Sequence, residues 1–307
     1  EDFWLNLYKD QVPVVDLPTD FPRTSPRSYK GMRMDHPISK ELLEQLKSRG
    51  AKVGGSLVTT LLAAFEVFLY AKTKQENLVV GLPASGQAAS GLFDVVGHCV
   101  NLLPLKTTID KNLSFSAYLK KRKNEVLDAY DHQRLTFGEL IKKLYIQRDS
   151  ARITLVPVIF NIDMGMDQQV RFDGIEHKLT SNPRAYESFD LYLNATGSKN
   201  GAILEWSFNT GLFEPETIRA YHQDFHTMLE KIASNPEIAI ADLSLHKQNE
   251  ITSSSTSIEK NLIDLFKDAV SNFPERTAVS FKEKNISYAE LNNRSDQIAL
   301  YLIDRGV

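Results

Sequence analysis

Cysteine is almost missing from this chain: there is one, Cys99, in 307 residues. A single thiol excludes a disulfide framework within the chain and fits a reducing, cytoplasmic setting. No basic and apolar leader opens the sequence, so the Asn-X-Ser/Thr triplets at 112, 194 and 285 read as accidental glycosylation matches. Long hydrophobic runs are also lacking. The most apolar stretch, SLVTTLLAAFEVFLYAKTK, is short for a bilayer and is broken by Thr59, Thr60 and Glu66. It predicts a buried core helix rather than a membrane span. Positive charge is not in excess either: the net charge is −3 and the lysines are scattered, which gives no reason to expect nucleic acid. No two of the seven histidines are adjacent. His222 and His226 in HQDFH share a helical face, but the glutamate of a zinc-protease motif and a third ligand are both missing. They read as solvent-side histidines, with no metal site.

What is present is an ordinary globular composition, 42% hydrophobic and 24% charged, at a length that suggests about two domains. The opening DLPTDFPRTSPRS, with Pro18, Pro22 and Pro26, predicts an extended surface connector. SKELLEQLKSRG reads as a helix capped by Ser39, with Leu42, Leu43 and Leu46 on one face and Gly50 as its stop. A second helix starts near Ser56 and is apolar nearly all round. ENLVVGLPASGQAASGLFDVVGHCVNLLPLK then reads as strand, long loop and strand. A loop of that length in a compact domain is often functional.

A helix follows with Phe115, Tyr118, Leu119 and Val126 on one face, and the next begins at a capping box of Thr136 and Glu139. LVPVIFNI, FDLYLNAT and AILEWSFN read as strands, and EPETIRAYHQDFHTMLEKIASN as an amphipathic helix through Ile218, Tyr221, Phe225, Leu229 and Ile232. The class is mixed α/β (α+β). At HKQNEITSSSTS the periodicity stops in a serine-rich run that marks a linker. Two further capping boxes, Thr256 with Glu259 and Ser287 with Glu290, open helices after it.

Candidate chemistry is sparse. His98 and Cys99 are adjacent, so in an extended segment their side chains point to opposite faces and do not form a base and nucleophile. Cys99 lies among Val95, Val96, Val100, Leu102 and Leu103 and reads as a buried structural thiol. Arg148, Asp149 and Arg152 in RDSAR either pair with one another or receive a phosphate. Asp131, His132 and Gln133 near a helix end read as a polar capping cluster.

The order of DFWLNLYKDQVPVVDLPTDFPR, GLPASGQ, VVGHCVNLLPL, YDHQRLTFGEL, RDSARITLVPVIFNI, FDLYLNAT and NTGLFEPETI resembles the carboxy-terminal lobe of a nonribosomal peptide synthetase condensation domain, over residues 1–249. Residues 250–260 would be a linker. LFKDAVSNFPERTAVSF and ISYAELNNRSDQIALYLIDRGV, within 261–307, resemble the start of an adenylation domain. The resemblance implies a chloramphenicol acetyltransferase-like lobe and a parent enzyme that forms peptide bonds between thioesters on carrier domains. It implies no bound cofactor: phosphopantetheine would be carried by the partner carriers, and ATP with Mg would serve only a full adenylation domain.

By the same resemblance GHCVN replaces the family's GxFxN beside a central channel. Gly97 would then permit close backbone approach and Asn101 would offer an amide to the channel, with Ser85 and Gln87 on the loop below it. Arg148 and Arg152 would contact the carrier or its phosphate. The family's catalytic HHxxxDG belongs to the amino-terminal lobe and does not occur here, so the chain is expected to be inactive alone and to work with that lobe and the rest of the adenylation domain. Neither end reads as a natural terminus. The GHCVNLLPL and SNPRAYESFDLYLNAT segments resemble those of hybrid polyketide and peptide lines, as in bacterial lipopeptide synthesis. A non-catalytic carrier-binding or scaffold module, and a coenzyme A-dependent acyltransferase of the same fold, remain as alternatives.

Overall fold

The computed structural model describes residues 1–87, 91, 94–147, 149–164, 173–175, 182–198, 201–243, 262–281 and 284–306. They fall into two compact units, Glu1–His246 and Lys247–Val307. The predicted linker 250–260 and the Thr256 and Glu259 cap lie outside the described residues.

The first unit is built on a six-stranded mixed sheet: β1 (Gly31–Ser39), β2 (Asn77–Ser85), β3 (Val100–Thr108), β4 (Val158–Met164), β5 (Leu191–Ser198) and β6 (Gly201–Asn209), in spatial order β1-β6-β5-β4-β2-β3. β4 runs parallel to β5 and β2, and the remaining pairs are antiparallel. Its helices are α1 (Asp2–Tyr8), α2 (Lys40–Lys52), α3 (Leu57–Thr73), α4 (Phe115–Asp131), α5 (Phe137–Lys143) and α6 (Pro215–Ser234). The period-two pattern of FDLYLNAT and AILEWSFN divides the sheet by face. Leu193, Ala195, Leu204 and Trp206 are buried, and Trp206 meets Phe65 and Phe68 of α3 and Phe225 of α6 edge-on at centroid distances of 5.9–6.2 Å. The alternate residues Asn161, Asn194 and Glu205 stand in register across β4, β5 and β6. Asn161 Nδ2 donates to Asn194 Oδ1 at 3.1 Å, and Asn194 Nδ2 to Glu205 Oε2 at 2.9 Å, so the polar row satisfies itself.

Helix starts follow the local chemistry of their caps. Ser39 accepts from Leu42 N, Ser114 from Ala117 N, and reciprocal boxes close at Ser56 with Thr59 and at Thr136 with Glu139. Gly50 is not the stop of α2, which runs to Lys52. The left-handed residue that ends it is Gly54, φ +74°. Gly50 is there for another reason: a Cβ on it would lie 2.1 Å from Thr60 Oγ1, so it lets α2 close on α3.

Glu66, which interrupts the apolar α3, is fully buried and paired. Arg122 Nη2 lies 2.6 Å from its Oε1, and Tyr118 Oη donates to its Oε2 at 2.6 Å. Arg122 Nη1 also donates to the Lys106 carbonyl at 3.0 Å. The outer edge of β3 is thereby covered: Pro104 has no N–H to offer, its carbonyl accepts from Tyr8 Oη at 2.7 Å, and that of Lys106 is taken by Arg122. Sequence periodicity had not announced α1 or β1.

The second unit contains α7 (Leu262–Asn272), β7 (Thr277–Phe281), β8 (Lys284–Ser287) and α8 (Tyr288–Asp304), with β7 and β8 antiparallel. Ser287 accepts from Glu290 N and starts α8 as expected. No residue of α8 is buried.

Candidate functional site

The expected channel residues gather at one end of the β2/β3 pair. Ser85 pairs with Val100 and Ala84 with Asn101. Gly86 N donates to the Cys99 carbonyl at 2.6 Å, extending the ladder by one step. Gln87 Nε2 donates to the Val95 carbonyl at 2.7 Å and ties the connecting loop across its base. Close backbone approach belongs to Gly86, where a Cβ would sit 2.6 Å from the Cys99 carbonyl oxygen. A Cβ on Gly97 would meet nothing within 4 Å. Gly97 and His98 are exposed.

Cys99 is not deeply buried. It is of intermediate exposure, and its apolar neighbours Val95, Val96 and Val100 are 43%, 100% and 53% exposed. The run VVGHCV is therefore an apolar rim on the surface of the unit, and the core begins at Leu103. Sequence hydrophobicity could not make that distinction.

Asn101 holds this rim to the turn between α4 and α5. Its Nδ2 donates to the carbonyls of Gln133 (2.8 Å) and Leu135 (2.9 Å), and its Oδ1 accepts from Phe137 N (3.0 Å) and Leu102 N (2.9 Å). Two donors and two acceptor sites are the full capacity of a carboxamide. The same turn is fixed from α1: Trp4 Nε1 donates to the His132 carbonyl at 2.9 Å, and Phe3 stacks on the His132 ring at 4.2 Å. His132 is the C-cap of α4 and donates from Nδ1 to the Asp128 carbonyl.

Arg148 lies outside the described residues. Arg152 pairs with Asp16 (Nη1 to Oδ1, 2.8 Å) rather than with Asp149. Its neighbour in the connector, Arg23, pairs with the buried Asp190 at 2.8 Å. Ser25 and Ser150 share a hydrogen bond of 2.6 Å, and Arg27 N donates to the Ser150 carbonyl at 3.1 Å. The proline-rich opening and the RDSAR turn therefore fasten to each other, some of it through charge.

His222 and His226 are half-buried and face inward, against the solvent-side expectation. His222 packs on His36 of β1, a strand that had gone unread. Among the described residues no group of three or more His, Cys, Asp or Glu could hold a metal ion. The pairing of Glu66 with Tyr118 and Arg122 was also missed, although Arg122 sits three residues after Leu119 and four before Val126, on the apolar face of α4.

Residues 1–253 match the family described as Condensation domain, and the chain belongs to that family. It is 32% identical over 319 residues to Tyrocidine synthase 3 of Brevibacillus parabrevis, covering 100% of this chain and 5% of that protein. It is 30% identical over 312 residues to Surfactin synthase subunit 2 of Bacillus subtilis (strain 168), covering 100% and 9%. The chain thus spans a small part of these relatives' length.

Among solved structures it superimposes on holo-AB3403, a four domain nonribosomal peptide synthetase bound to AMP and glycine, with TM-score 0.71 and 19% identity over 100% of this chain and 25% of that one. The condensation domain of the Monacolin K polyketide synthase MokA gives TM-score 0.69 and 19% identity over 78% and 58%. The fold is the chloramphenicol acetyltransferase-like one of condensation domains. No single described helix is long and apolar enough to cross a membrane; α2 and α3 pass that test only as a pair bent by 97°, and α3 is core.

Proposed function

We propose that residues 1–249 form one wall of a condensation centre in a nonribosomal peptide synthetase, where an acceptor amine held on one carrier attacks the thioester held on another. The amine nitrogen bonds to the acyl carbon, the phosphopantetheine thiolate departs, and the proton lost from nitrogen needs a base. None of the seven histidines is part of an HHxxxDG pair, so the base comes from a lobe that supplies that motif, and this chain supplies position. The observation that carries the reading is the apolar rim Val95, Val96 and Val100, exposed beside a strand pair locked by Gly86, Gln87 and Asn101. A rigid apolar rim is suited to closing against a second lobe around tethered substrates.

Within that wall Ser85, Gln87 and Gly97 face the channel. Asn101 contributes by fixing the 132–136 turn, because its carboxamide has no unused donor or acceptor. Arg152, and Arg148 with it, contact the carrier or its phosphate. Residues 250–260 tether the lobe to residues 261–307, which begin an adenylation domain. Support comes from the alignments with Tyrocidine synthase 3 and holo-AB3403, which run through the whole chain. The setting is the bacterial cytoplasm, and a hybrid polyketide and peptide line is the proposed origin.

The test is product formation. Loaded donor and acceptor carriers mixed with the chain should give only background dipeptide by mass spectrometry, and adding a lobe that carries HHxxxDG should raise it. Robust dipeptide from the chain alone would overturn the division of labour.

A further inference from the structure

Histidines fill the contact between the edge strand β1 and the helix α6. His36 lies flat on His222, with ring centroids 3.9 Å apart and planes 7° from parallel. His226, one helical turn on, continues the stack at 5.9 Å and 17°. Trp206 of β6 stands edge-on to His222 at 6.4 Å. An imidazole has two nitrogens that seek hydrogen-bond partners. Yet Nε2 of His36, Nδ1 of His222 and Nε2 of His226 are buried with no hydrogen-bond partner among the described residues.

A metal does not explain the arrangement. Nitrogen lone pairs lie in the ring planes, so rings stacked face to face do not aim them at one point, and no described cluster has three ligands. Charge compensation does not explain it either. Burial lowers the pKa of His36, Asp35 on β1 works against that, and Arg219 on α6 adds to it. On β6, Glu205 points to the opposite face and accepts from Asn194. α2 packs on both β1 and α6 and brings Glu44 and Arg49 to the α6 flank, where Arg49 donates to the Ala233 carbonyl. Besides burial, the groups acting on His222 are the two other imidazoles.

We propose that His36, His222 and His226 form an acid-sensitive clasp, which holds α6 on β1 while the His36 and His222 rings are neutral and opens when those two take up protons. This goes beyond the proposed function and does not rest on it. Adding a proton would place a cation in a half-buried stack whose nearest neighbours are also proton acceptors. Burial first, then His36 and His226, pushes His222 down from 6.5 to about 4, and burial lowers His36 as well. The folded form therefore binds fewer protons than the open form between those values. The contribution to stability is complete above pH 6.5 and is lost as the pH falls toward about 4. At tenfold per pKa unit the His222 shift alone changes the closed-to-open ratio by at most about 300-fold.

The experiment measures the urea midpoint, and hydrogen exchange in residues 31–39 and 215–234, from neutral pH down to about 4.5. It compares the unaltered chain with His222→Phe, which keeps a ring and removes the proton site. The unaltered chain should lose midpoint steeply on acidification, with amides of β1 and α6 opening first. His222→Phe should match it at neutral pH and lose markedly less in acid. Equal pH slopes in the two proteins would overturn the proposal. Should His222→Phe not fold, the C2 proton of His222 in the unaltered chain decides by NMR: no titration down to about pH 5 supports the clasp, and an ordinary titration near 6.5 overturns it.

Discussion

The two compact units use the same local signals and reach different ends. In the first, α3, capped at Ser56, delivers Leu62, Phe65 and Phe68, and α6 delivers Phe225, into a core where each is fully buried. In the second, α8 is capped by Ser287 in the same way, but Ile298, Leu300 and Ile303 are 61%, 67% and 68% exposed. Caps and periodicity decide that a helix forms there. They do not supply a partner for its apolar face, and helices in water owe most of their stability to such partners. The first unit closes a core on itself, whereas α8 of the second carries its apolar side chains at the surface.

Substitutions should separate the units sharply. The largest effect is expected at the buried pair of the first unit. Arg122→Ala strands the Glu66 carboxylate and frees the β3 edge, and should cost about 3–5 kcal/mol in urea unfolding. Phe65→Ala, which empties the aromatic cluster of α3, β6 and α6, belongs in the same range of about 3–5 kcal/mol. A smaller loss, about 1–3 kcal/mol, is expected for Asn101→Ala, because two carbonyls and one amide of the 132–137 turn lose their partner together. In a synthetase that contains both lobes this variant should also slow condensation while carrier loading is unchanged. Unaltered single-turnover rates would remove Asn101 from the wall. Thr136→Ala should cost about 1 kcal/mol through its capping box. In the second unit Leu300→Ala should move the unfolding midpoint least, within about 0.5 kcal/mol; a loss as large as that of Phe65→Ala would erase the contrast between the units.

Much of the first unit could be read from the sequence because its signals are local. Ser39, Ser56 and Thr136 each act within three residues of themselves, and the alternation in FDLYLNAT and AILEWSFN needs only the pleat. β1 escaped because GMRMDHPIS has no clean alternation, and its pairing with β6 joins residues far apart in the chain. The stacking of His36 on His222 went with it. Glu66 looked like a flaw in an apolar helix until Arg122 and Tyr118 arrived from α4. At the candidate site Cys99 and its valines were placed in the core when they form an exposed rim. Hydrophobicity reports what can be buried, and only the packed fold reports what is.

Native-state hydrogen exchange of the whole chain, followed segment by segment by mass spectrometry, tests the contrast most directly. Amides of α3 and β6 should exchange only through global opening of the first unit, and those of α8 through local fraying that addition of urea hardly changes. Equal protection in α3 and α8, lost together at one urea concentration, would contradict it.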